Sequence, residues 1–375
     1  MVAVRPASFR TVLLAGIAAC ALSRRVPADP GLLPASNSRD AYRSDPSKFA
    51  TVWEDLAGLG TAGSFEFCYG NRSSHPGMPM DVMPYSIWEN GEKIIPGSLP
   101  HPIDYLADLA YPFDFENLFY ANPALLLTRQ MWWLSYAAAA IYLILVGAGQ
   151  YWMKTRSAFD LKGPLAAWNL FLAAFSAWGA LRMVPQLLLM LQQHGLEFAV
   201  CRQAVYTVGH GAAGLWMTLF VWSKYFELID TAFLVLRKKG VGFLHWYHHC
   251  SVLMYTWHAY AWETPTGIFF AAMNYTVHAV MYSYYFLAAV SARPPKWGMI
   301  VTCMQISQMV VGVLVITFHL RSLTTREVQY CDGHLPNLTA GLAMYSSYFM
   351  LFLDFFVRRF CLKRQPPTQN PKKLD

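Results

Sequence analysis

Apolar and polar positions divide this chain sharply near residue 125. Beyond it, apolar runs of about 20 residues recur, the length a helix needs to cross a bilayer core. Seven spans are predicted, at about 131–152, 165–191, 210–235, 244–262, 267–290, 298–320 and 338–357. Ahead of them, residues 1–25 carry Arg5 and Arg10, an apolar stretch from Thr11 to Leu22, then Ser-Arg-Arg, and read as a signal peptide or weak signal anchor. Ala19-Cys-Ala21 is the candidate cleavage point. Residues 26–125, rich in Pro, Gly, Ser and Asn, read as an irregular extramembrane extension with no recognisable chemistry.

Composition agrees. Of 375 residues, 55% are hydrophobic and 14% charged, against about 25% charged in a soluble domain. The expected class is an all-α multi-pass membrane protein. The net charge of +7 comes from basic residues at span ends, which predicts topology rather than nucleic-acid binding. One set of loops holds Lys154, Arg156 and Lys162, then Arg237, Lys238 and Lys239, then Arg293 and Lys296, and finally the basic tail. The alternate loops hold only Arg202, Arg321 and Arg326. The positive-inside rule therefore predicts a cytosolic C-terminus and a luminal segment 26–130.

Three details fit that topology. Asn71 and Asn337 head glycosylation sequons on the expected luminal side, whereas Asn274-Tyr-Thr276 lies within a span and should be silent. Cys201 and Cys331 fall in two luminal loops, where they either pair or stay as free thiols. The tail 363–375 ends Lys372-Lys373-Leu-Asp375, resembling a cytosolic dilysine retrieval signal of the endoplasmic reticulum. The seven cysteines contain no CxxC pair, so no zinc ribbon or thioredoxin-type motif is suggested.

Polar residues within the spans form stripes. In the third, Lys224, Glu227, Asp230 and Thr231 follow i, i+3, i+6, i+7. Even the mildest scale charges about 2.5–3.5 kcal/mol for each charged residue at that depth, so these groups pair with one another or face a polar cavity. The fourth span opens on His245, His248 and His249, which share one helical face. The fifth aligns Asn274, His278, Tyr282 and Tyr285, and the sixth Thr302, Gln305 and Gln308, which serve equally as interhelical glue. His194, His258, His319 and His334 sit at the expected luminal edge and read as structural. Cys250 lies about 140° around the helix from His245 and about 100° from His249, off the histidine face, which argues against a cysteine nucleophile.

Two chemistries suit a histidine face. A membrane di-iron site also displays a His-x-x-His-His box, but two metals need many neutral nitrogen ligands, and this chain offers four candidates. Covalent acyl transfer needs less. A neutral imidazole is a competent nucleophile toward a thioester near neutral pH, and an apolar pocket keeps it neutral. A second histidine can orient it or move its proton. A non-enzymatic lipid carrier with a structural histidine cluster is the third reading.

Lys224-x-x-Glu227-x-x-Asp230-Thr231, His245-x-x-His248-His249, Asn274-x-x-Val277-His278-x-x-Met281-Tyr282 and Thr302-x-x-Gln305-x-x-Gln308 resemble, in order and spacing, the ELO family of very-long-chain fatty acid elongases. The likeness extends over about residues 110–362, through Phe159-x-Leu161-Lys-x-Pro164-Leu and Phe175-Ser-x-x-Gly179-Ala-x-Arg182, and looks closest to the branch acting on saturated and monounsaturated chains. It does not reach the long front segment. The resemblance implies seven transmembrane helices in a domain at 126–362, six of them an inverted-repeat barrel around an acyl tunnel with the first helix outside. It implies acyl-CoA and malonyl-CoA as substrates, no bound cofactor or metal, and 3-oxoacyl-CoA, carbon dioxide and CoA as products. His248 would carry the acyl group, with His278 opposite and His245 and His249 orienting the site. Asn274, Tyr282 and Gln305 would supply hydrogen bonds, with Glu227, Asp230 and Gln308 also against the substrate and Lys224 toward CoA phosphates. The Cys201–Cys331 pair matches a family disulfide. Expected surroundings are the endoplasmic-reticulum membrane, the other enzymes of the elongation cycle and a second copy of the chain.

Overall fold

The computed structural model describes residues 87–89, 92–94, 112–119, 121–202, 204–325 and 331–362. Residues 1–25, Asn71 and the dilysine tail lie outside them. Within the front segment, β1 (Ile87–Glu89) and β2 (Glu92–Ile94) form an antiparallel hairpin in which Trp88 faces Lys93. All other regular elements among the described residues are helical.

Three short helices accompany the long ones: α1 (Asp114–Asn117), α2 (Asn122–Gln130) and α5 (Ala204–Val208). The long elements are α3 (Leu134–Met153), α4 (Lys162–Cys201), α6 (Gly211–Phe226) with α7 (Ile229–Leu236), α8 (Phe243–Ala261), α9 (Gly267–Val290), α10 (Gly298–Thr325) and α11 (Leu335–Phe356). Among the described residues, four helices are long and apolar enough to cross a membrane: α3, α4, α10, and α11 with the π turn that extends it to Cys361. Of the helices between them, α6 and α7 are shorter because the third predicted span is divided.

Two boundaries differ from the sequence expectation. Helix α4 runs on to Cys201 but is broken at Gly195 (φ 82°, ψ 176°), a conformation open to glycine because it lacks a Cβ. The third predicted span is not one helix. Between Glu227 and Thr231 the backbone N–H groups of Leu228, Asp230 and Thr231 bond three residues back, to Tyr225, Glu227 and Leu228. This is a tighter 3₁₀-type turn, with about three residues per turn.

Helix α9 packs most extensively on α4. The approach is close because Gly179 carries no side chain: a Cβ there would overlap the Tyr275 ring, whose hydroxyl donates to the Trp216 carbonyl at 2.9 Å. Such small-residue contacts are how helices associate where lipid offers no hydrophobic drive. At one end of the bundle a disulfide joins Cys201 to Cys331, with their Cα atoms 4.3 Å apart, and the Asp332 N–H donates to the Cys201 carbonyl at 3.0 Å. The opposite end is basic. There Lys238, in the left-handed region (φ 54°), ends α7 and donates to the Arg156 carbonyl at 2.8 Å.

A buried polar staple holds α1 to the bundle. The Glu116 side chain is fully buried and caps its own helix by accepting from the Phe113 N–H at 2.8 Å. It also accepts from Arg182 Nη2 at 2.8 Å and from Trp216 Nε1 at 2.7 Å. Burial alone would raise the Glu116 pKa, but the bonds from Arg182, Trp216 and Phe113 outweigh it and hold the carboxyl below its usual value. A depressed carboxylate contributes stability above its unfolded pKa and loses it as pH falls through the folded one. Glu116→Gln should therefore lower the thermal midpoint at neutral pH and flatten the loss of stability on acidification below about pH 4.5. Thermal unfolding in detergent across that range checks both effects.

Candidate active site

The polar stripe of the third predicted span is divided by the turn at 227–231 into three arms, each engaging a different neighbour. The first arm meets α9. Lys224 is buried, and its ammonium donates to Glu227 Oε1 at 2.6 Å and to Asn274 Oδ1 at 3.0 Å. Because the Asn274 oxygen accepts from lysine, its Nδ2 is the atom that faces His278 Nε2, at 3.2 Å. His278 Nε2 therefore accepts, which places the ring proton on Nδ1, 3.8 Å from Glu227 Oε1. Lys224, Asn274, His278 and Glu227 close a circuit that fixes the His278 tautomer. Ser223 adds a bond to Glu227 Oε1 at 3.2 Å, while Glu227 Oε2 is buried with no partner among the described residues.

The second arm is Asp230. One carboxylate oxygen accepts from Trp168 Nε1 and the other from the Tyr282 hydroxyl, each at 2.7 Å. The third is Thr231, whose hydroxyl lies 2.8 Å from His245 Nε2 and 2.9 Å from the Tyr142 hydroxyl. Tyr142 belongs to α3, so the helix expected outside the barrel reaches into this network.

On α8 the three histidines do not act as one face. His245 and His249 lie together, with ring centroids 4.4 Å apart, and turn toward α7 and α3; Tyr142 is 6.4 Å from His249. His248 points elsewhere, its ring 5.1 Å from Tyr348 on α11. The Tyr348 hydroxyl bonds Ser251 at 2.6 Å and so fixes that wall. His248 is only half-buried, no described residue hydrogen-bonds its ring, and it lies within charge–charge range of His278, Glu227 and Lys224. Among the described residues, no three His, Cys, Asp or Glu side chains gather in a metal-holding group.

The sixth-span glutamines are placed apart. Gln305 donates to Met281 Sδ at 3.3 Å, and Gln308 sits beside the Tyr345 phenol, so neither hydrogen-bonds the histidines. Asn337 corrects the sequence reading. It is 1% exposed, and its amide is used up by His258, Thr264 and Tyr255, so a glycan has no access to it. The remaining histidines are structural partners: His319 bonds the Asp332 carbonyl at 2.7 Å, and His334 stacks on Trp262 at 3.7 Å. Cys250 is buried against α3 with Ala139 and Tyr142.

Sequence reasoning missed Tyr142, Trp168, Ser223 and Tyr348. Each is an isolated polar-tipped residue in an apolar helix, with no periodic signal of its own.

Beyond this cluster, toward the disulfide end, lies a partly open apolar cavity. Phe220, Val221, Tyr255, Ala259 and Phe270 are among its walls. Phe220 links the two regions, since Lys224 Nζ stands 4.4 Å over its ring.

Residues 127–368 match the profile described as the GNS1/SUR4 family, ELO. Curated relatives agree with that match. The chain is 40% identical over 259 residues to very long chain fatty acid elongase 6 of Drosophila melanogaster, covering 69% of this chain and 82% of that one. It is 39% identical to elongase 6 of Gallus gallus (70% and 96% covered) and 38% identical to elongase 3 of Homo sapiens (67% and 91%). With that much of its helical region shared, this chain belongs to the ELO family.

Proposed function

We propose that the protein is the condensing enzyme of fatty acid elongation, an acyltransferase that joins acyl-CoA to malonyl-CoA and releases carbon dioxide and CoA. The supporting observation is a half-buried, unbonded His248 within charge–charge range of the Lys224–Asn274–His278–Glu227 circuit, with Phe220 joining Lys224 to the wall of an apolar cavity. The family's motifs supply the reaction, and the geometry supports the roles proposed for the residues.

In this reading His248 attacks the acyl thioester carbon. The C–S bond breaks, the thiolate leaves, and the imidazole proton passes to it to give free CoA. The acyl chain lies in the cavity. Malonyl-CoA then binds, loses carbon dioxide and becomes an enolate, which attacks the acyl-imidazole carbon; the C–N bond breaks, the imidazole takes up a proton from water, and a 3-oxoacyl-CoA two carbons longer is released. His278, held with its Nε2 lone pair toward Asn274, positions groups at the thioester. Thr231 and Tyr142 anchor His245, and through it the start of α8. Asp230 and Tyr282 brace α7 against α9. The substrate-binding part played by Gln305 and Gln308 on this reading is indirect, through Met281 and Tyr345.

The same reading places the chain in the endoplasmic-reticulum membrane with its C-terminus cytosolic and the disulfide luminal. Seven crossings and an inverted-repeat barrel around the cavity accompany it, with Asn71 the remaining candidate for a glycan. Partners follow from the product, a 3-oxoacyl-CoA, which reductases and a dehydratase must process further; a homodimer is part of the proposal.

Two measurements test it. Purified protein with radiolabelled malonyl-CoA and an acyl-CoA primer should incorporate label, and intact mass should detect an acyl adduct that His248→Ala abolishes. An undiminished adduct in that variant would refute the nucleophile. Separately, Lys224→Met should destabilise the protein by about 3–5 kcal/mol, because it strands the Glu227 carboxylate in the interior. Adding Glu227→Gln should recover part of that loss, as read from thermal unfolding in detergent; additive losses would dissolve the pairing argument.

A further inference from the structure

The apolar cavity is walled in part by an arrangement that the catalytic reading does not use. Tyr255 lines the cavity seven residues beyond His248 on α8, about 10 Å along the helix axis. Its phenol does not fill that space. It lies against α11 at Gly341, where an added Cβ would overlap the Tyr255 hydroxyl and press on the ring carbon that bears it. The same hydroxyl donates to Asn337 Oδ1 at 3.4 Å, one helical turn from Gly341. Asn337 is itself immobilised, its Nδ2 donating to His258 Nδ1 at 2.8 Å and its Oδ1 accepting from Thr264 at 3.1 Å. A bulky side chain is thus parked in a recess that exists because residue 341 has no side chain.

We propose that Gly341 and Asn337 park the Tyr255 phenol against α11, and that this parking sets how far an acyl chain penetrates the cavity. Tyr255 is then a specificity-determining residue, with Gly341 and Asn337 positioning it. The inference rests on the condensing reading, which puts the acyl chain in the cavity. Filling the recess drives the phenol toward the cavity it lines and shortens it. Removing the phenol lengthens it. Neither change touches the histidines, so the effect is read as a change in the ratio of long-primer to short-primer rates.

The test is a graded series of saturated acyl-CoA primers with radiolabelled malonyl-CoA, using the full-length protein in detergent. Gly341→Ala should lower the rate on the longest accepted primer, relative to the shortest, by roughly tenfold or more, the usual effect of a methylene-sized misfit in an apolar pocket. Gly341→Ala/Tyr255→Phe, which removes the overlapping oxygen, should recover part of the ratio, and Tyr255→Ala alone should shift the preference toward longer primers. The ratio of long to short primers isolates this effect from general damage, which would lower both. If Gly341→Ala does not fold, Tyr255→Ala decides. With the wild type active, unchanged long-to-short ratios in the folded variants overturn the proposal. A wild type inactive on every primer overturns the condensing reading, and this inference with it.

Discussion

The structure depends on a single electrostatic requirement: every charge carried into the apolar bundle must be answered within it. Lys224 and Glu227 are 2% and 4% exposed, and either one alone would be costly to bury. They are held because each answers the other, with Asn274 accepting a second bond from the lysine and Ser223 donating to Glu227 Oε1. Asp230 is answered by two neutral donors from two helices, and Glu116 by a guanidinium, an indole and a backbone amide. These bonds cross between helices, so satisfying them also sets how the helices stand relative to one another.

The turn at 227–231 follows from that requirement. At about 100° per residue even a continuous α-helix spreads Lys224, Glu227 and Asp230 over about 120°. With the tighter turn between Glu227 and Thr231, the arms reach α9, then α4 and α9 together, then α8 with α3. The gain is three interhelical networks from one eight-residue stretch, at the expense of a few well-formed α-helical bonds. Chemistry and architecture therefore share the same side chains: the residues that orient the histidines are those that hold α6 and α7 in place.

The positions of the long helices were legible because bilayer-length apolar runs separated by basic loops leave few alternatives. The interruption at 227–228 was not, since Tyr225-Phe-Glu-Leu-Ile-Asp230 contains no Gly or Pro and the break is imposed by tertiary bonding. Within the site, spacing brought Lys224, Glu227, Asn274 and His278 into view as neighbours. It grouped His248 with His245 and His249, although consecutive residues stand about 100° apart on a helix, which already separates His248 from His249. Tyr142 and Trp168 escaped notice for a related reason: an isolated polar tip on a lipid-length helix has no periodicity to mark it. Asn337 shows the opposite error. A sequon is a statement about three side chains in a row, and burial by His258, Thr264 and Tyr255 is a matter of the fold.

The disulfide has a consequence for biogenesis. Its cysteines are 130 residues apart, and the second follows α10. No oxidant can close the bond until ribosomal synthesis has passed residue 331, by which time α4 and α6 to α10 have all been made. The bond therefore cannot guide the early insertion of these helices; it can only lock an arrangement they have already reached. Its formation is a timestamp of late assembly, and an unpaired Cys201 is the chemical mark of a chain still under construction.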